Sequence, residues 1–206
     1  MKLPKQNKIK AKVAAKAVKL SVEYDGNIIL NQVDFEVLSG KKTFLMGNNG
    51  AGKSTLIQKL MEGIDHTFVT ADAKTGYFSQ AQENLDEDKT VLENVVSTAI
   101  VPEHICRAVL MNLYMNHNDI YKKVKVLSGG ERVKTAIAKV LVSDCNFLIL
   151  DEPTNHMDIY TMEGLEKLLK SYDGTLLVIS HDRKLTKNIA DCIYEIKDGN
   201  ITECFL

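Results

Sequence analysis

The run Gly47-Asn48-Asn49-Gly50-Ala51-Gly52-Lys53-Ser54 has the plainest chemistry in this sequence. It fits G-x-x-x-x-G-K-S/T at every fixed position. Its glycines let the backbone curl until successive N–H groups face inward, which makes a concave nest for an anion. The mostly apolar run 43–46 before it reads as a short strand. After it, Leu56, Ile57 and Leu60 recur at helical spacing over 53–61. The positive end of that helix therefore faces the nest. Lys53 adds a point charge toward the β and γ phosphates, the Ser54 hydroxyl can ligate Mg²⁺, and Thr55 can reach the α-phosphate. A loop of this kind takes a nucleoside triphosphate.

A second group of residues supplies acid and base chemistry. Phe147-Leu148-Ile149-Leu150 is an all-apolar strand that ends in Asp151 and Glu152. Such a strand delivers charge to the C-terminal edge of a parallel sheet, the edge at which nucleotides bind. There Asp151 would hold Mg²⁺, and Glu152, pointing another way, could polarise a water for in-line attack on the γ phosphate. Leu127-Ser128-Gly129-Gly130-Glu131 opens a further helical stretch and reads either as an N-cap or as a second anion site.

These motifs together resemble the ATP-binding-cassette ATPases from about Val18 to Phe205. In that family L-S-G-G-E is the signature, so the resemblance implies that Ser128, Gly129, Gly130 and Glu131 contact the γ phosphate of ATP held by a partner domain. It also implies that Tyr24 stacks on adenine, although an ordinary core tyrosine would fit the same place. Gln80, in Tyr77-Phe78-Ser79-Gln80, matches the glutamine that reaches Mg²⁺ and the attacking water. His181, after the strand-like run 175–180, matches the switch histidine. Asp158 closes a loop that in the family helps form a dimer. The run Glu152-Pro153-Thr154-Asn155-His156-Met157-Asp158 resembles the ABC-F branch, whose members carry two cassettes on one chain and act at the ribosome. Met157 stands where Leu is common, and Asn48 where many members have Pro; neither change disturbs the nucleotide reading. The resemblance to antibiotic-resistance members is the finest placement it offers.

The remaining pattern shows what must position these groups. Strand-like runs at 18–24, 32–38, 43–46, 146–150, 175–180, 192–197 and 201–205 alternate with helical ones at 53–61, 90–100, 103–115, 129–142, 159–171 and 182–190. That order predicts an α/β fold: a P-loop NTPase core with a parallel sheet, antiparallel additions at both ends and, by the resemblance, a helical subdomain at about 81–128. With 206 residues, 45% hydrophobic and 26% charged, the chain is an ordinary globular domain rather than a disordered or collagen-like one. Residues 1–17 read as a basic arm. Seven lysines and no acid occur in the first nineteen residues, while the rest of the chain is net acidic. A solvated linker and an arm that approaches nucleic-acid phosphates both fit this composition. Four scattered cysteines, with no C-x-x-C pair, imply free thiols in a reducing cytoplasm. No run is long enough to cross a bilayer.

One copy of each motif cannot close a site that, in the family, is shared by two domains. The expected partner is therefore a second cassette, either in a homodimer or as the other half of a parent chain of which this is the C-terminal part. The ribosome and its RNA are the expected target. A nucleotide-binding subunit of a membrane transporter is the alternative.

Overall fold

A computed structural model describes residues 3, 5–64, 66–79, 85–155 and 157–204, and these divide into two compact units. One comprises Asn7–Ala73 with the stretch from Gly174 on; the other comprises Lys74–Asp173 with the described residues among the first six.

The first unit carries the phosphate loop on two sheets. β1 (Val13–Tyr24) and β2 (Asn27–Leu38) form an antiparallel hairpin, and β4 (Thr67–Val69) pairs with the other side of β1. The turn is the two-residue loop Asp25-Gly26, both with positive φ, whose twist matches that of the strands it joins. Val33, Phe35 and Val37 alternate onto one buried face of β2, as their spacing predicts. In the second sheet β3 (Lys42–Gly47) lies between β7 (Thr175–Ile179) and β8 (Cys192–Lys197), parallel to both. β9 (Asn200–Cys204) returns antiparallel to β8 through a matching Asp198-Gly199 loop. All five residues of β7 are buried, as a central parallel strand requires. α1 (Lys53–Glu62) buries Leu56, Ile57 and Leu60 completely, each worth about 1.5–3 kcal/mol. It ends at Gly63, whose N–H bonds the Lys59 carbonyl. α6 (Arg183–Ile189) follows β7 and is capped by Asp182.

The second unit carries the acidic strand and the signature. β5 (Thr75–Ser79) runs parallel to β6 (Phe147–Asp151), in a register that sets Ser79 beside Asp151. Helices α2 (Val91–Val96), α3 (Glu103–Asn112), α4 (Gly129–Leu141) and α5 (Ile159–Ser171) surround this pair in sequence. Tyr172, just past α5, is buried and donates its hydroxyl to the Cys145 carbonyl at 2.8 Å.

Three features depart from the sequence pattern. β1 begins at Val13, inside the stretch assigned to a basic arm, and β2 begins at Asn27, five residues before its alternation is evident. Ala14, Ala15 and Ala17 are buried while Lys12, Lys16 and Lys19 point outward, so small residues carry a core face that lysines obscure. Upstream, Leu3, Gln6 and Ile9 are buried, and the Gln6 N–H donates to Asp173 at 3.0 Å. The described residues of that stretch are thus docked backbone with exposed lysines. β4 and β5 carry no alternation long enough to read, and β5 is interrupted by Gly76. All four cysteines are free, as expected.

Gly164, in α5, is set by close approach: a Cβ there would lie 1.8 Å from the Asn112 carbonyl oxygen at the end of α3. Gly164→Ala is expected to destabilise the chain by about 1–3 kcal/mol in urea unfolding, despite alanine's better helix propensity. Gly129→Ala, where nothing lies within 4 Å of the added carbon, is expected to change stability by less than about 1 kcal/mol.

Candidate functional site

β3 ends at Gly47, where the chain must turn away under β8. Gly47 has a φ of 146°, and a Cβ there would stand 2.6 Å from the Ile196 carbonyl oxygen. At the other end of the loop Gly52, with φ 100°, precedes the first turn of α1 and packs against Ile29 and Leu30. Side chains are excluded at both ends, so the backbone can turn sharply there.

Lys53, the first residue of α1, is 7% exposed. Its ammonium turns back into the loop and donates to the carbonyls of Gly47 at 2.7 Å and Asn48 at 3.0 Å. A buried charge survives only with such partners. His181 follows β7 and brings its Nε2 within 3.3 Å of the Lys53 Nζ and 3.1 Å of the Asn49 Oδ1. Four of the predicted residues, Asn48, Asn49, Lys53 and His181, are therefore in one hydrogen-bonded group. Ser54 is exposed and Thr55 half-buried at the same helix end.

A cavity of about 470 Å³ adjoins the loop, lined by Asn48–Ala51, by Ile28 and Ile29 of β2, and by Glu195–Gly199 around the β8–β9 turn. Its size suits a nucleotide-sized ligand. The 195–199 wall carries no sequence signal, because the Asn31 N–H to Gly199 carbonyl bond that places it joins residues far apart in the chain. Tyr24 closes β1 at the hairpin and is 48% exposed, so it is not a core tyrosine.

In the other unit, Asp151 ends β6 beside Ser79. Burial, and then the charge of Asp151, push the Tyr77 phenol up. Glu152 turns out of the strand with φ 49°, a left-handed conformation that costs a non-glycine residue energy and recurs at functional positions. The signature is a complete capping box. Ser128 Oγ accepts from the Glu131 N–H at 3.4 Å, and the Glu131 carboxylate accepts from the Ser128 N–H at 2.7 Å. Gly129 and Gly130 form the first turn of α4 behind this cap. Asp158 caps α5 through the Thr161 N–H at 2.9 Å and also lies 3.5 Å from Lys134 Nζ, a partner that sequence spacing did not indicate. Gln80 and His156 fall outside the described residues.

Among the described residues no group of three or more His, Cys, Asp or Glu could hold a metal alone. A hydroxyl such as Ser54 and a carboxylate such as Asp151 are hard oxygen donors of the kind Mg²⁺ takes, with phosphate oxygens completing its shell. Each, taken singly, is a donor of the type that ion takes.

A glycine loop between a buried parallel strand and a helix, with a lysine folded into it, defines a P-loop nucleotide-binding domain. Residues 30–155 match the family described as ABC transporter, which is more than half of the chain. The chain therefore belongs to the ATP-binding-cassette family, and the relatives it resembles are members of the F branch. It is 37% identical over 190 residues to the putative ATP-binding protein YdiF of Bacillus subtilis, covering 89% of this chain and 30% of that protein. It is 35% identical over 190 residues to ABC transporter F family member 2 of Arabidopsis thaliana, covering 87% and 28%. It is 35% identical over 173 residues to the erythromycin resistance ATP-binding protein MsrA of Staphylococcus epidermidis, covering 84% and 35%. The chain thus spans about a third or less of these relatives. In fold it matches the dimeric ATP-binding cassette MJ0796 bound to ADP and Pi, with a TM-score of 0.75 at 23% identity, covering 92% of this chain and 97% of that one. Among the described residues no helix is long and apolar enough to cross a membrane.

The Asp158 cap also sets a pH dependence. Hydrogen bonds from the Thr161 N–H and then its hydroxyl, followed by the charge of Lys134, hold the carboxyl down at about 2. A carboxyl lowered on folding stabilises the fold above its ordinary value of 3.8 and loses that contribution as pH falls toward 2. Asp158→Asn keeps a capping oxygen but cannot titrate. Its destabilisation relative to the parent is expected to be largest near neutrality, at about 1 kcal/mol or less, to shrink as pH falls below about 4 and to vanish below about pH 2. Urea midpoints measured across that range check this.

Proposed function

We propose that this chain is an ATP-hydrolysing cassette of ABC-F type that works against a second cassette and acts on the ribosome. The observation that carries the nucleotide reading is Lys53, buried and folded into its own glycine loop with His181 beside it. Phosphate oxygens are stronger acceptors than the carbonyls the ammonium now holds, so a triphosphate entering the loop gains a charge-assisted bond. Lys53 and the start of α1 then stabilise the charge that spreads over the γ phosphate. Ser54, Gln80 and Asp151 would hold Mg²⁺, which supplies Lewis-acid neutralisation when bound. Glu152 polarises the attacking water, His181 contacts the γ phosphate, and Tyr24 stacks on the adenine.

The second cassette is inferred from the signature. Ser128–Glu131 stands ready at a helix start, as an anion contact on a partner's nucleotide requires. The fold match to a dimeric cassette supports the same pairing. Because the chain spans about a third or less of its relatives, the pairing would be with another copy or with another part of a longer chain. The ribosome as target is supported by Glu152–Asp158, whose spelling resembles the F branch. Similarity to a protein named for erythromycin resistance supports a narrower role in protecting ribosomes from antibiotics. A cytoplasmic location fits this reading.

Two substitutions separate binding from chemistry. Lys53→Ala is expected to weaken ATP binding at least about tenfold, by loss of a charge-assisted contact. Glu152→Gln is expected to keep binding within about threefold while slowing turnover about 10²- to 10⁴-fold, the range for a lost general base. Full turnover by the glutamine variant would remove Glu152 from its role. With ATP trapped in that variant, light scattering is expected to show a dimer and sedimentation to show ATP-dependent ribosome binding. Co-purification with a membrane permease instead would favour the transporter alternative.

A further inference from the structure

Exposed apolar side chains are ordinary singly and informative when they gather. Three of the four exposed tyrosines, Tyr114, Tyr121 and Tyr160, lie in the second unit, at 50%, 47% and 62% exposure. α3 links them. Arg107 and Met111 stand one helical turn apart on it, and Tyr114 follows just past its end. The Arg107 guanidinium lies 5.2 Å from the centre of the Tyr121 ring and donates to its hydroxyl. Tyr114 meets Tyr160 of α5 with ring centres 5.9 Å apart, where the close approach of Asn112 to Gly164 brings the two helices together. Met111, between these two groups, is itself 37% exposed. The outcome is a strip of π faces with a guanidinium plane among them.

The groups beside the strip are polar and largely cationic. Asn116, His117 and Asn118 are exposed between Tyr114 and Tyr121, and the His117 ring lies 5.6 Å from that of Tyr121. Lys122, Lys123 and Lys125 follow directly and are exposed as well. Lys122 pairs with Asp119, Lys125 with Asp88 and Arg107 with Glu103. These pairs lie at the surface, where ion pairs are weak and a phosphate can displace the carboxylate. Lys123 forms no ion pair among the described residues. Tyrosine and arginine suit many interfaces, but lysine is depleted from those between proteins, so the adjoining lysines favour a polyanion. Unpaired RNA answers every part of the strip. Its bases stack on tyrosine, histidine and guanidinium planes, their edges bond amides, and its phosphates meet ammonium groups.

We propose that this strip binds single-stranded RNA, with Tyr114, Tyr121 and Tyr160 as stacking platforms and Lys122 and Lys123 on the phosphates. The proposal deepens the ribosome reading, on which it rests for the source of the RNA. It uses none of the residues assigned to ATP.

The test is fluorescence anisotropy of the whole chain with a labelled, unstructured RNA of about 12 nucleotides, within the span that such sites cover. Tyr114→Ala and Tyr160→Ala are each expected to weaken binding at least about fivefold. Tyr160→Phe is expected to stay within about twofold of the parent, because stacking needs the ring and not the hydroxyl. Lys123→Ala is expected to flatten the slope of log affinity against log salt by about 0.7, the share of one phosphate contact, and the tyrosine variants to leave that slope alone. Urea midpoints of the variants check that the fold is kept. Ribosome sedimentation is run beside these titrations. Ribosome binding without RNA binding, or RNA binding that both alanine variants leave unmoved, overturns the strip alone. Alanine variants that lose ribosomes when no RNA binds the parent mark a protein-docking face, which also overturns it. RNA binding that depends on the tyrosines, with no ribosome binding, keeps the strip and overturns the ribosome reading.

Discussion

The structure depends on one buried ammonium. Lys53 sits at the head of α1, where the helix end is already positive, and a second positive charge there would be repelled without compensation. The carbonyls of Gly47 and Asn48 supply that compensation at 2.7 and 3.0 Å. They can do so only because the chain doubles back at Gly47, under the Ile196 carbonyl, in a conformation that excludes a side chain. β3 must therefore stop at that residue, and β8 must lie beside it to form the ceiling. The carbonyls of Gly47 and Asn48 are drawn to the lysine.

The same economy recurs in the second unit, where residues that carry chemical motifs also hold the fold. Ser128 and Glu131 satisfy each other's backbone at the start of α4, and Asp158 does the same for α5. An N-cap and an anion site are compatible here, because a capped helix still presents the remaining N–H groups of its first turn. Glu152 is the exception. Its left-handed backbone costs energy that a glycine would not incur, although its carbonyl accepts the Asn155 N–H in the turn that follows.

Sequence pattern made much of this legible, for physical reasons. The phosphate loop was readable because its glycines, lysine and hydroxyl act within eight consecutive residues. β6 and β7 are readable because buried parallel strands are almost wholly apolar. β1 was shortened because alanines carry its buried face under a run of lysines. β4 was missed because three residues show no period, and β5 because Gly76 breaks its pattern where Cys145 and Val140 crowd in. The contact of Asn49 with His181 and the Glu195–Gly199 wall of the cavity were invisible because each joins residues more than a hundred positions apart.

If Gly47–Ser54 cradles a triphosphate whatever base is attached, the bare polyphosphate should occupy it. Backbone amide shifts of the ¹⁵N-labelled chain, followed during titration with inorganic tripolyphosphate, test it most directly. Saturable shifts centred on Gly50, Gly52, Lys53 and Ser54 are expected. Amides that stay unmoved in this loop while others respond would mean that the loop does not hold the phosphates.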